Sequence, residues 1–143
     1  MQDSGAVTAA EINAVYQRVA QTIADALACD VAHVQPDVSL IEGLGAESID
    51  FLDIVFRLER GFKIKIPRGK VVEEARGELT EAEFAEKGAL TPAGLTRLRE
   101  YLDEVPPERF RPRMKLTDVP LLFTPQTFCK VVVRALRASD GVQ

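Results

Sequence analysis

A chain of 143 residues and 15.7 kDa, 46% hydrophobic and 28% charged, is long enough to bury a sizeable core and is expected to form one domain. Neither the start, Met1 to Val7, nor any later stretch carries the apolar run of a signal peptide or a membrane span, so a cytoplasmic location is expected. One histidine, His33, and two cysteines a hundred positions apart, Cys29 and Cys129, leave no serine triad and no metal cluster to assemble, and both thiols are expected to be free.

Charge is distributed unevenly along the chain. The net −4 divides into −7 over residues 1–60 and +3 over the remainder, so the first part of the chain presents an acidic surface suited to steering encounters with basic protein surfaces.

In chain order, the first helix is placed at about Thr8 to Cys29. Thr8 and Glu11 have capping-box spacing, and Ile12, Val15, Tyr16, Val19, Ile23 and Leu27 recur along one face. Asp30 to Glu47 reads as a long loop with a Pro36-Asp37 turn, from which Val34, Val38, Leu40, Ile41 and Leu44 fold back onto the helices. Gly43 and Gly45 then give a flexible approach to Ser48, where helical periodicity resumes. Ser48 therefore stands at a helix N-terminus. Such a serine is ordinarily a cap, worth about 1 kcal/mol, but a phosphodiester attached there would also be favoured by the helix dipole.

Along the second helix, Ile49, Phe51, Leu52, Ile54, Val55, Phe56, Leu58 and Phe62 make an apolar surface wide enough for a helix in the middle of a bundle. Asp50, Asp53, Arg57 and Arg60 share the remaining polar face, with Asp53 and Arg57 spaced as an i, i+4 pair. Beyond Pro67, Thr80-Glu81-Ala82-Glu83 starts a short helix that Gly88 ends, and Thr91-Pro92 starts another that Pro106-Pro107 stops. Their narrow apolar stripes are expected to pack on the bundle. Pro107 to Lys115 is basic and extended, too short for a nucleic-acid arm. Leu116 to Leu122 reads as a short helix or irregular turn. Thr124-Pro125 starts a final helix to about Ala138, with Phe128, Val131, Val132, Ala135 and Leu136 inward and Lys130, Arg134 and Arg137 outward; the terminal residues from Ser139 on fray.

From Ile23 to Pro67 the chain resembles the acyl carrier protein family. The resemblance is carried by Ile23-Ala24-Asp25-Ala26-Leu27, Val31, Val34, Pro36-Asp37, Ser39-Leu40-Ile41, Leu44-Gly45-Ala46-Glu47-Ser48-Ile49-Asp50, Leu58-Glu59 and Phe62-Lys63-Ile64-Lys65-Ile66-Pro67. It implies an all-α, acyl-carrier-like four-helix bundle with extra helices inserted between core helices two and three. The core would be residues 8–67 and 116–138, and the insertion 68–115, padding, cover or docking surface, with a covering or docking role favoured.

In that family the serine of an Asp-Ser-Leu motif is esterified with 4′-phosphopantetheine from coenzyme A, and Ser48 matches it. Glu47 stands for the aspartate and Ile49 for the leucine. The resemblance further implies that Glu47, Asp50, Asp53, Arg57 and Arg60 lie on the partner-docking face, although Arg60 stands where many members carry an acid. The implied partners are a phosphopantetheinyl transferase, acyl-processing enzymes such as ketosynthases or acyltransferases, and acyl chains held as thioesters. Neither nucleic acid nor a membrane span is implied. The expected role is a monomeric carrier, not an enzyme, in fatty-acid or specialised lipid biosynthesis. A carrier of a polyketide or non-ribosomal peptide-type pathway, or an unmodified interaction module of the same fold, are the alternatives.

Overall fold

A computed structural model describes residues 7–67 and 69–141, without the side chains of Asp140 and Gly141. Most of the expectations for Met1 to Val7, and those for the last two residues, fall outside this range. The order of elements is α1 (Ala9–Leu27), α2 (Leu40–Leu44), α3 (Ser48–Phe62), α4 (Lys70–Arg76), α5 (Glu81–Phe84), β1 (Ala85–Glu86), β2 (Ala89–Leu90), α6 (Pro92–Tyr101) and α7 (Pro125–Gly141). Short 3₁₀ turns occupy Val31–His33, Pro107–Arg109 and Leu116–Leu122. The fold is all-α in class, with a single two-stranded hairpin among the described residues.

The start of α1 follows from its sequence. Thr8 accepts the Glu11 N–H while the Glu11 carboxylate takes the Thr8 N–H at 3.0 Å, closing the capping box. The helix ends in a left-handed Ala28. Its stripe of Val15, Val19, Ala20, Ile23 and Ala24 is buried against α7, which lies along it, and against Ile54 and Leu58 of α3. Val34, Leu40, Ala46, Ile64, Phe128, Cys129, Val132 and Val133 complete this first core.

The long loop expected between the first two helices is more ordered than its composition suggested. Asp30 caps the turn Val31–His33, and the buried Ser39 caps α2 by accepting the Glu42 N–H. Tyr16 donates its hydroxyl to the Val34 carbonyl at 2.8 Å, fastening the loop to α1.

The segment after Pro67 has a core of its own. Ala75 of α4, Phe84 of α5, Leu90, Leu98 of α6, Leu102, Val105 and Met114 form a second buried cluster, so the insertion does not depend on narrow stripes laid on the bundle. Val119 and Leu122 also belong to it. The segment Leu116–Leu122, read as a short helix or irregular turn within the core 116–138, is a 3₁₀ turn whose buried side chains face the inserted elements. Phe123 packs against both clusters.

Two further expectations are corrected here. Gly88 does not end a helix: with Lys87 at φ 53° and Gly88 at φ 81° it makes the tight turn between β1 and β2. Pro107 to Lys115 is not simply extended, since it contains the turn Pro107–Arg109 and returns to the hairpin, where the Met114 carbonyl accepts the Leu90 N–H at 2.7 Å.

Candidate functional site

Ser48 is the first residue of α3, and its side chain is exposed. The approach to it is fixed, not flexible. Gly45 is the left-handed C-cap of α2, at φ 76°, donating to the carbonyls of α2; a Cβ at Gly43 would collide with Val38. The buried Ala46 donates to the Leu40 carbonyl at 2.9 Å. Ser39 donates to the Leu121 carbonyl at 3.0 Å and Leu40 to the Phe123 carbonyl at 3.1 Å, so the whole approach is tied to the turn Leu116–Leu122. Among the described residues the Ser48 hydroxyl enters no hydrogen bond, and His33 is exposed in its own turn.

Glu47 occupies the N-cap position in extended conformation and is exposed. The third-position acid completes the arrangement from the other side: the Asp50 carboxylate accepts the Glu47 N–H at 2.8 Å. Asp50 is therefore half-buried and engaged with the backbone that precedes Ser48, and does not join Asp53 and Arg57. Those two pair as the spacing suggested, Arg57 Nε to Asp53 Oδ1 at 3.0 Å, with both side chains in solvent. Arg60 is exposed a turn further on. The structure thus brings Glu47, Ser48 and Asp50 together at one end of α3 and leaves Arg57 and Arg60 toward the other.

The apolar surface of α3 is only partly used for packing. Ile54 and Leu58 are fully buried, Phe51, Val55 and Phe62 half-buried, while Ile49, Leu52 and Phe56 are 69%, 36% and 54% exposed. The helix is therefore not central to the bundle. It has a free apolar edge beginning next to Ser48.

Beside Ser48 lies a largely apolar cavity of about 330 Å³. One wall is α3 (Phe51, Leu52, Val55); the opposite wall is Val71 and Val72 of α4 with Val119 of the 3₁₀ turn. Phe51, Phe123 and Phe128 form a ring trio with centroids 5.8–6.0 Å apart at its base. This second wall has no signature in the local sequence pattern. No periodicity links residue 71 to residue 119, and only the shared second core brings them together.

A family model described as a phosphopantetheine attachment site matches residues 17–76. That span holds Ser48 and runs nine positions past Pro67 to take in α4. The acyl carrier protein AcpXL of Rhizobium etli is 38% identical over 74 residues, 51% of this chain and 80% of that protein. The AcpXL proteins of Mesorhizobium japonicum and Brucella melitensis are 38% and 34% identical, over 44% and 51% of this chain and 68% and 80% of their own. No solved structure matches. About half of the chain thus lies outside these alignments, and the matched half carries the helix with the exposed serine. The chain belongs to the acyl carrier protein family, and its cofactor is 4′-phosphopantetheine.

Proposed function

We propose that Ser48 is the attachment point of 4′-phosphopantetheine and that the protein is a carrier of acyl intermediates for fatty-acid or specialised lipid biosynthesis. The observation that carries this reading is the exposed, unbonded Ser48 hydroxyl at the first position of α3, directly at the mouth of the cavity walled by α3 and α4. The site fits the group. An esterified phosphate there would sit at the positive end of a 15-residue helix. When attached, the group supplies a terminal thiol that holds acyl groups as thioesters.

The residues of the chain position; they do not catalyse. Gly45 and Ala46 set the turn, Asp50 holds the Glu47 N–H, and the hydrogen bonds from Ser39 and Leu40 keep the serine over the cavity. The Asp50 carboxylate is held by the Glu47 N–H and the Ser48 hydroxyl enters no hydrogen bond among the described residues, so the base that takes the Ser48 proton is assigned to the transferase. The cavity offers the acyl chain a dry side of the carrier, where each buried methylene contributes about 0.8 kcal/mol. Ketosynthases and acyltransferases are the partners that such a loaded carrier would serve.

Intact mass after co-expression with a broad-specificity phosphopantetheinyl transferase tests the assignment. The wild-type chain is expected to gain one phosphopantetheine and Ser48→Ala none. A chain that keeps its bare mass, also with the transferase of its own source, would replace the carrier by an unmodified interaction module. Loading with acyl against aminoacyl coenzyme A donors separates a lipid-type carrier from a peptide-type one.

A further inference from the structure

Positions 49, 52, 56, 60 and 63 recur at three- and four-residue steps and form one stripe along α3 and its C-cap. Its first half is the exposed apolar edge of Ile49, Leu52 and Phe56. Its second half is basic: Arg60 and Lys63 are exposed, and Lys65 follows on the same end beside Phe56, around an open trough whose other side is Ala135, Ala138 and Ser139 of α7. Glu59 also lines the trough, with its carboxylate accepting the Ile66 N–H at 2.7 Å, so three cations share that end with one backbone-bonded acid. Among the described residues no carboxylate pairs with Arg60, Lys63 or Lys65. The serine end of the same face carries the opposite sign, through Glu47 and Asp50, with Asp53 already neutralised by Arg57.

We infer that this face docks an enzyme acting at Ser48 whose own surface is basic near its active site and acidic some distance away, to meet Arg60, Lys63 and Lys65. The inference rests on the assignment of Ser48 above. Arg60 lies twelve residues along the helix from Ser48, about 18 Å at 1.5 Å per residue. A specific interface buries about 800 Å² on each partner, a patch about 30 Å across. A partner centred on the apolar edge at Leu52, about 12 Å along the helix from Arg60, covers both ends of the face. An enzyme seated there reaches the basic end, where a uniformly basic surface would be repelled. The acids at the serine end disfavour an anionic membrane as occupant, because it would press negative charge against Glu47 and Asp50. A partner with charges arranged in this order also fixes the direction in which the carrier docks.

The first enzyme to act on Ser48 is the phosphopantetheinyl transferase of the same source, and its steady-state kinetics on the 143-residue apo chain provide the test. Arg60→Glu/Lys65→Glu is expected to raise KM about tenfold with little change in kcat, and the difference should shrink at high salt. The control pair Arg99→Glu/Arg111→Glu, exposed on the inserted elements, changes net charge equally and should leave KM alone. Should the glutamates disturb folding, Arg60→Gln/Lys65→Gln gives a smaller shift in the same direction. Equal effects of the two pairs, or a lower KM for Arg60→Glu/Lys65→Glu, would overturn the inference. So would loss of binding to phosphatidylglycerol vesicles with unchanged transferase kinetics, which would assign the face to a membrane. A wild-type chain that gains no mass would remove the Ser48 assignment, and this inference with it; normal modification without the KM difference removes the inference alone.

Discussion

At the scale of single residues, Cys129 shows how burial alone sets chemistry. It sits in α7 at 0% exposure, packed in the first core, and burial pushes its thiol up to about 12 from the ordinary 9.0. Cys29, at the end of α1, is only half-buried, and both thiols are free. A thiol reagent at neutral pH should therefore modify one cysteine rapidly in the apo chain and the second only on unfolding. Holo protein should show one fast thiol more, from the prosthetic arm. The same shift dictates the response to alkali. A group whose folded value is raised gives its full stabilisation below the unfolded value, near 9.0, and loses it as pH climbs toward 12. The melting temperature should fall through that window, with a shallower slope in Cys129→Ala, compared after its own cavity loss is subtracted. Glu11 behaves in the opposite sense. The Thr8 N–H and then the Arg137 guanidinium hold its carboxyl below the usual value, so its contribution is present at neutral pH and is lost as pH falls through the lowered value. Glu11→Gln should accordingly flatten the acid limb of a stability-versus-pH curve measured by urea denaturation.

At the scale of elements, α3 and α4 face each other across the cavity beside Ser48, and Val71 is the α4 side chain with which to test it. An acyl chain that buries about six methylenes there would contribute about 5 kcal/mol before ordering costs, and by linkage loaded protein should melt several degrees above holo protein. Val71→Trp, which fills the space from the α4 side, should leave phosphopantetheine attachment intact and abolish most of that rise. An unchanged rise in Val71→Trp would place the acyl chain elsewhere. How much of this was legible in the sequence divides along the range of the interactions. The starts at Thr8 and Thr80 were readable because a cap and its partner lie three residues apart, those at Thr91 and Thr124 because a proline follows the cap, and the Asp53–Arg57 pair because its members lie four apart on one helix face. Ser48 was readable as the start of α3 because the apolar period resumes there. By contrast α4 lacks a side-chain cap, beginning after the left-handed Gly69, and its seven residues leave little periodicity to detect. The exposed edge of Ile49, Leu52 and Phe56 could not be told from core, since composition does not say which side of a greasy helix has a neighbour.

At the scale of the whole molecule, two cores in one chain must be held in register, and Lys130 lies where they meet. Lys130, expected on the outer face of α7, is buried between the bundle and the inserted elements. Its ammonium donates to Glu104 Oε1 at 2.7 Å, Asp103 Oδ1 at 2.9 Å and the Tyr101 carbonyl at 2.9 Å, and Thr127 donates to the other Glu104 oxygen at 2.6 Å. One turn on, Arg134 stacks over the Tyr101 ring at 4.7 Å, while the Tyr101 hydroxyl bonds Glu74 of α4. Arg137 in turn reaches Glu11 of α1. The basic residues of α7 thus face partners 26 to 126 positions away, a separation at which local pattern says nothing. The Lys130 and Glu104 side chains are 8% and 5% exposed, so removing one leaves the other charged in a dry site. Lys130→Met should cost about 3–5 kcal/mol in chemical denaturation, and Lys130→Met/Glu104→Gln should regain a large part, because the stranded carboxylate and not the lost attraction dominates the penalty. The consequence reaches the site. Leu121 and Phe123, whose carbonyls hold Ser39 and Leu40, sit just ahead of α7, and Val119 of the same turn walls the cavity. If the Lys130 cluster couples the two cores, wild-type unfolding is a single transition and Lys130→Met separates it into two, the inserted elements opening first with loss of the acyl-dependent rise in melting temperature. A single transition in Lys130→Met, merely shifted, would show that Phe123 and the surrounding packing suffice to join the cores and that the buried charges serve only their own satisfaction.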